Sequence, residues 1–238
     1  MTDADAREPQ ESSGSQPSGV VQNMAVLNLT GIKSADELRR ISGISNVAVV
    51  LVRASLEGVL AQIPMHNVAM IVPIPDDEGI TVKMQTGQMR ISGWALQNPT
   101  GSPSDILVVV GQLVLDPPVS TIGYKLVVIG QLIAPKEVEA EISSKLVTLV
   151  GQAVYYHDHP YIVFGSESLG KEFFELLDHS IDLIVMGECT VNKDVSVDLF
   201  REKVTGIHNL GELKVPNQLL AIAQAKTVFN MGMIQTMD

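Results

Sequence analysis

The sequence predicts an α/β fold, a parallel β-solenoid with coils of about 19–24 residues, each a strand closed by a short helix or a loop. Three observations carry this. Glycine followed by Gln or Glu recurs at Gly87, Gly111, Gly130, Gly151, Gly187 and Gly211, with Gly232-Met233 as a degenerate last copy. The successive spacings are 24, 19, 21, 36, 24 and 21 residues, so all but one match a single coil. Aligned on the glycine from 111 onward, three columns are apolar throughout: Leu107, Leu126, Val147, Leu183, Ile207 and Val228 four before it; Val110, Ile129, Val150, Met186, Leu210 and Met231 one before it; Leu113, Leu132, Ala153, Cys189, Leu213 and Ile234 two after it. Stacked positions of one kind are what a coil needs when it buries apolar side chains only against its neighbours.

Residues 1–22 are rich in polar residues, Pro, Gly and Ser and have too little apolar surface to offset ordering entropy, so they read as a disordered tail. Residues 23–238 read as one repeat domain. Ser34 with Glu37 three later forms a capping box at the head of a helix over 34–40. "NVAVVLV" (46–52) and "NVAMIVP" (67–73) are strands 21 residues apart, with a helix over 55–63 between them, and strand–helix–strand at this period requires parallel strands. The coil at Gly87 fits its columns less well, with Lys83 and Thr86 at apolar positions. "GSPS" (101–104) is a loop, and Pro117-Pro118 ends a coil.

Apolar residues three or four apart predict short helices over 135–144, 170–178, 195–203 and 217–225, with Pro216 suited to the first turn of the last. The 36-residue spacing holds an insert, 152–169, in which Tyr155, Tyr156, Tyr161 and Phe164 predict a hairpin. The last coil leaves an open strand edge, a pairing liability unless covered. The architecture is similar to leucine-rich-repeat horseshoes, although the LxxLxLxxN signature is absent, so the resemblance extends to architecture alone.

The glycine suits a corner that needs φ > 0 or a backbone approach too close for a Cβ. Gln88, Gln112, Gln131 and Gln152 after it either stack as an amide ladder or face water, and Glu188 and Glu212 would end such a ladder by repulsion.

A net charge of -11 and an aromatic content of 4% argue against nucleic-acid binding, which needs a basic footprint or stacking platforms. No run of apolar residues is long enough for membrane insertion, and no leader segment is legible, so the expected location is cytoplasmic. One cysteine, Cys189, excludes an intramolecular disulfide framework, and its apolar column marks it as a small hydrophobe. No GxGxxG opening a helix, GxxxxGK[ST], HExxH or GxSxG occurs, and no cofactor is expected. Glu172, Glu175 and Asp178 read as the solvated face of a helix. The weak candidate for metal is His157 and His159, which would share a strand face around Asp158 but need further ligands from elsewhere.

The most informative surface is apolar. Around Gly111 and Gly130 the strands carry Leu107, Val109, Leu126 and Val128 on one face and Val108 and Val127 on the other. The connection "DPPVSTIGYK" holds no convincing helix to cover a second face, so Val109 and Val128 are expected to stay open as an interaction face with Leu107 and Leu126. The expected function is a non-catalytic scaffolding solenoid that docks a protein partner or a second copy of itself. The alternative is a small-molecule- or metal-dependent enzyme, or a ligand-binding module, with its site in the Tyr/His insert.

Overall fold

The computed structural model describes residues 18–76, 79–157 and 159–237. It is mixed α/β with 53% strand and no closed barrel among the described residues, so the strands rather than the helices carry the architecture. The chain divides into two compact units, Met1–Ile80 and Thr81–Asp238.

In the first unit, β1 (Gly19–Asn28), β2 (Ile41–Arg53) and β3 (Met65–Ile74) form a parallel sheet in that order. The first strand begins inside the segment read as a tail. Val20 and Val21 pair with Gly43 and Ile44, and that pairing is what gives this short apolar run a place to order. The rest of the tail, 1–17, lies outside the described residues. Between β1 and β2 the predicted helix shortens to α1 (Ala35–Leu38), with Glu37 N–H donating to Ser34 Oγ at 3.3 Å. A short 3₁₀ turn and α2 (Glu57–Leu60) join β2 to β3. Leu38, Ile44, Val47, Val50, Leu56 and Leu60 make the core.

This unit has a column that the glycine search passes over. Asn23, Asn46 and Asn67 all have left-handed φ, at 61°, 53° and 53°. Asparagine is the non-glycine residue that tolerates this best, because its short polar side chain bonds locally. Here the amides also bond to one another: Asn46 Nδ2 donates to Asn23 Oδ1 at 3.0 Å, and Asn67 Nδ2 to Asn46 Oδ1 at 2.9 Å.

The second unit opens with a four-stranded parallel sheet, β4 (Val82–Ser92), β5 (Ile106–Asp116), β6 (Lys125–Pro135) and β7 (Leu146–Tyr156). Gly87, Gly111, Gly130 and Gly151 stand side by side across it. Gly111, Gly130 and Gly151 have φ near +134°, and a Cβ on each would overlap the carbonyl oxygen of the glycine before it. Both predicted reasons for glycine therefore operate at once. Of the two readings of the glutamines, ladder or exposure, the ladder is met at one link among the described residues, Gln112 Nε2 to Gln131 Oε1 at 2.6 Å. A 3₁₀ turn followed by α3 (Glu139–Lys145) joins β6 to β7.

The strands then shorten and bend at the glycine into two sheets. The first is β8 (His159–Val163), β10 (Ile181–Val185), β12 (Val204–Asn209) and β14 (Thr227–Asn230). The second is β9 (Ser166–Leu169), β11 (Glu188–Val191), β13 (Glu212–Pro216) and β15 (Met233–Met237). Helices α4 (Lys171–Leu176), α5 (Val197–Lys203) and α6 (Leu220–Lys226) connect β9 to β10, β11 to β12 and β13 to β14, close to where periodicity places them. Their inner face supplies Phe174, Phe200 and Ala223 to a core with Leu183, Ile207, Cys189 and Leu213. A lysine ties two of these helices to the end of the helix before: Lys203 Nζ donates to Leu177 O at 2.9 Å, and Lys226 Nζ to Arg201 O at 2.8 Å and to Val204 O.

The 36-residue spacing resolves here. Gly165 stands under Gly187 as Gly187 stands under Gly211, since a Cβ on the upper glycine would overlap the lower carbonyl in each case. The column is thus Gly165, Gly187, Gly211 and Gly232. The predicted hairpin is corrected: β7 pairs with β6 and β8 pairs with β10, each in parallel. The insert is the crossover from the first sheet to the next. Its aromatics serve packing, with Tyr156 OH donating to Leu115 O at 2.8 Å and Tyr161 OH to Glu167 Oε2 at 2.7 Å.

A buried carboxylate ties the loop after β4 to the starts of β4 and β5. Asp105 accepts from Asn98 Nδ2 at 3.0 Å, Thr81 N–H at 3.1 Å and Ser102 N–H at 3.1 Å. The Asn98 amide, then the Thr81 N–H, hold its pKa below the usual carboxylate value. A depressed carboxylate adds stability above the unfolded-state pKa, and that contribution is lost as pH falls through the folded-state value. Urea unfolding of the Asp105→Asn variant is therefore expected to show lower stability than wild type at neutral pH and a smaller further loss below pH ~4. Parallel acid limbs for the two proteins would contradict this.

Candidate functional site

The expected docking face is the first feature to place, and it is corrected. Leu107, Val109, Leu126 and Val128 are all buried, in a core with Leu96, Leu113, Ile122, Tyr124, Leu132 and Ile142. The helix-free connection covers them after all, because Ile122 and Tyr124 fold inward from it and α3 adds Ile142. A loop shields apolar surface as well as a helix does when its own apolar side chains turn in. The opposite face is covered too: Val108 and Val127 are buried, and Val114, Ile133, Val154 and Tyr156 pack with Ile184 and, in part, Ile162, Met186 and Phe229 of the following sheet.

The imidazoles of the insert do not share a strand face. His157 follows the end of β7, His159 opens β8, and Asp158 lies outside the described residues. His159 packs against His179, with ring centroids 3.9 Å apart and the planes tilted by 53°, and His179 pairs with Asp178. Among the described residues no group of three or more His, Cys, Asp or Glu is placed to hold a metal. Cys189 is fully buried, and burial pushes its thiol up to about 12, with Glu167 adding to the shift. Glu188 and Glu212, expected to repel, instead share Lys214, whose Nζ lies 2.6 Å and 3.4 Å from their Oε1 atoms.

The insert does lead to a buried polar cluster that sequence reading missed. Asp182 on β10 accepts the His157 N–H at 2.7 Å and the Thr205 hydroxyl at 2.7 Å, and His208 Nε2 lies 3.8 Å from it. The carboxylate occupies the notch of Gly206, where a Cβ would stand 2.8 Å from Asp182 Oδ1. Asp182 and His208 are both buried, so the group works inside the fold, anchoring the crossover.

No protein-family model, curated protein or solved structure matches the chain. The reading of function therefore rests on the surface itself.

That surface is formed by β14, the corner at Gly232 and β15, the edge strands of the two sheets. Residues 227–237, "TVFNMGMIQTM", contain no Asp, Glu, Lys, Arg or His, whereas the coil before it carries His208, Glu212 and Lys214. Val228, Met231 and Met233 are 65%, 61% and 56% exposed, three large apolar side chains on one coil. A cleft of about 520 Å³ opens beside Gly211, Glu212, Met231, Gly232, Met233 and Gln235.

The coil's hydrogen bonding is repetitive and stops short. Val163 O accepts from the N–H groups of Met186 and Gly187, Val185 O from Leu210 and Gly211, and Asn209 O from Met231 and Gly232. Likewise Gly165 O accepts from Glu188 N–H, Gly187 O from Glu212, and Gly211 O from Met233, at 2.7–2.8 Å. One step on, no donor answers Gly232 O among the described residues. Asn209 Nδ2 donates to Asn230 Oδ1 at 2.9 Å and to Met233 O at 3.1 Å, and among the described residues the Asn230 amide has no corresponding acceptor. The signal for this edge was present in the sequence as the uncharged run, but exposure decides that it is open.

Proposed function

We propose that the chain is a non-catalytic scaffolding protein, a stack of parallel coils in the manner of a solenoid, that self-assembles through a free coil edge. The uncharged, apolar last coil carries this reading. Exposed strand edges in monomeric proteins are blunted by charge, proline or cover, because a bare row of backbone donors and acceptors recruits another strand. This edge has none of these in its own sequence. Glycine columns, asparagine ladders and parallel in-register pairing support the stacked-coil part of the reading, since each repeats one contact from coil to coil.

The test is the mass of the wild-type chain by light scattering across a wide range of concentration. A mass that rises above the 25.6 kDa of one chain supports self-assembly. A constant 25.6 kDa at every concentration ends it.

A further inference from the structure

We infer that the occupant of the last coil is a second copy of this chain, bound through the same coil across a two-fold axis, so that assembly closes at a dimer. This rests on the self-assembly reading above and names its partner and geometry.

Charge narrows the choice of partner first. The chain carries a net charge of -11, so two copies repel at most surfaces, and an isologous contact brings like residues together near its axis. Residues 227–237 bring no charge to that meeting. A partner that docks by charge would find none on residues 227–237 themselves, the nearest being the Glu212–Lys214 pair at the side of the cleft.

Hydrogen bonding narrows it further. The corner offers the Gly232 carbonyl as an acceptor and the Asn230 side-chain amide as a donor. One coil below, the equivalent amide of Asn209 is spent on a backbone carbonyl and an asparagine oxygen of the next layer. The layer that would satisfy Asn230 therefore presents a backbone carbonyl and an asparagine oxygen, and the corner of a second copy presents both. Val228, Met231 and Met233 then cover their counterparts.

The other end of the same stack argues against head-to-tail growth. Its first coil, β8 and β9, carries His159, Pro160 and Glu167. Proline has no N–H to give a strand partner, and a glutamate on an edge strand resists stacking, so that end is blunted as the last coil is not. A contact between unlike ends would propagate without limit, whereas a contact between two last coils stops at two.

The experiment compares wild type with Val228→Lys and Met233→Lys, alone and together, against Val147→Lys on the exposed part of β7. All three positions are more than a third exposed, so the folds should survive, and far-ultraviolet circular dichroism checks that. The expected result is a wild-type mass that levels off at twice 25.6 kDa. The double variant should weaken dimerisation about 30-fold or more, and Val147→Lys should leave it unchanged. A folded double variant that assembles like wild type overturns the inference while self-assembly stands. So does a mass that climbs past the dimer. A wild type that never assembles overturns both.

Discussion

Gly130→Ala is expected to destabilise the second unit by roughly 4 kcal/mol or more, from two costs that add. The residue's φ of 133° is one that side-chain-bearing residues rarely adopt. Its new methyl would also overlap the Gly111 carbonyl oxygen, so β5 and β6 would have to part near the centre of a parallel pairing of nine residue pairs whose flanking valines and leucines are buried. Gly87→Ala separates the two effects. That glycine has φ 90°, but a Cβ there meets nothing within 4 Å, so the conformational cost stands alone at about 1–3 kcal/mol. Urea unfolding of the two variants measures the difference. Equal losses would mean that the close approach of neighbouring coils contributes nothing.

Asp182→Ala should cost about 1–3 kcal/mol, because it removes the acceptor of the His157 N–H and one of the two acceptors of the Thr205 hydroxyl, which keeps the Ile181 carbonyl at 2.9 Å. The Gly206 notch makes the claim sharper. Gly206→Ala places a methyl 2.8 Å from the Asp182 carboxylate and should be destabilising in wild type. In the Asp182→Ala background the same methyl enters vacated space, so the second substitution should cost much less. A double-mutant cycle by urea denaturation reads this coupling directly. Additive effects would show that the carboxylate does not fill the notch.

The two glycines differ in how legible they were. Gly130 announces itself, because its neighbours in the column are also glycines followed by glutamine, and a coil that repeats one backbone geometry must repeat the residue that permits it. Gly206 gives no such sign, since its need arises from an aspartate 24 positions earlier that becomes its neighbour only when β10 pairs with β12. Gly165 stayed hidden for a simpler reason: serine follows it where Gln or Glu follows the others. The asparagine column went unseen in the same way, as another residue type meeting the same left-handed requirement.

Periodicity also placed most of the helices and strands, since apolar spacing reports which side of an element turns inward. It did not report what lies against each side. From the sequence Val109 and Val128 read as an open face, and it is Ile122 and Tyr124, turning in from the connecting loop, that cover them. The expected docking face failed at that step.

The amino-acid sequence by itself determined the mostly parallel α/β class and the uncharged run 227–237, because each follows from local spacing, backbone conformation or composition. Only the tertiary structure decided that the insert crosses between sheets, that both valine faces are core, and that Val228, Met231 and Met233 are exposed. Those outcomes depend on which distant segments come to lie on a given surface, and burial of apolar area rewards any segment that fits without naming it in the pattern of the strand it covers.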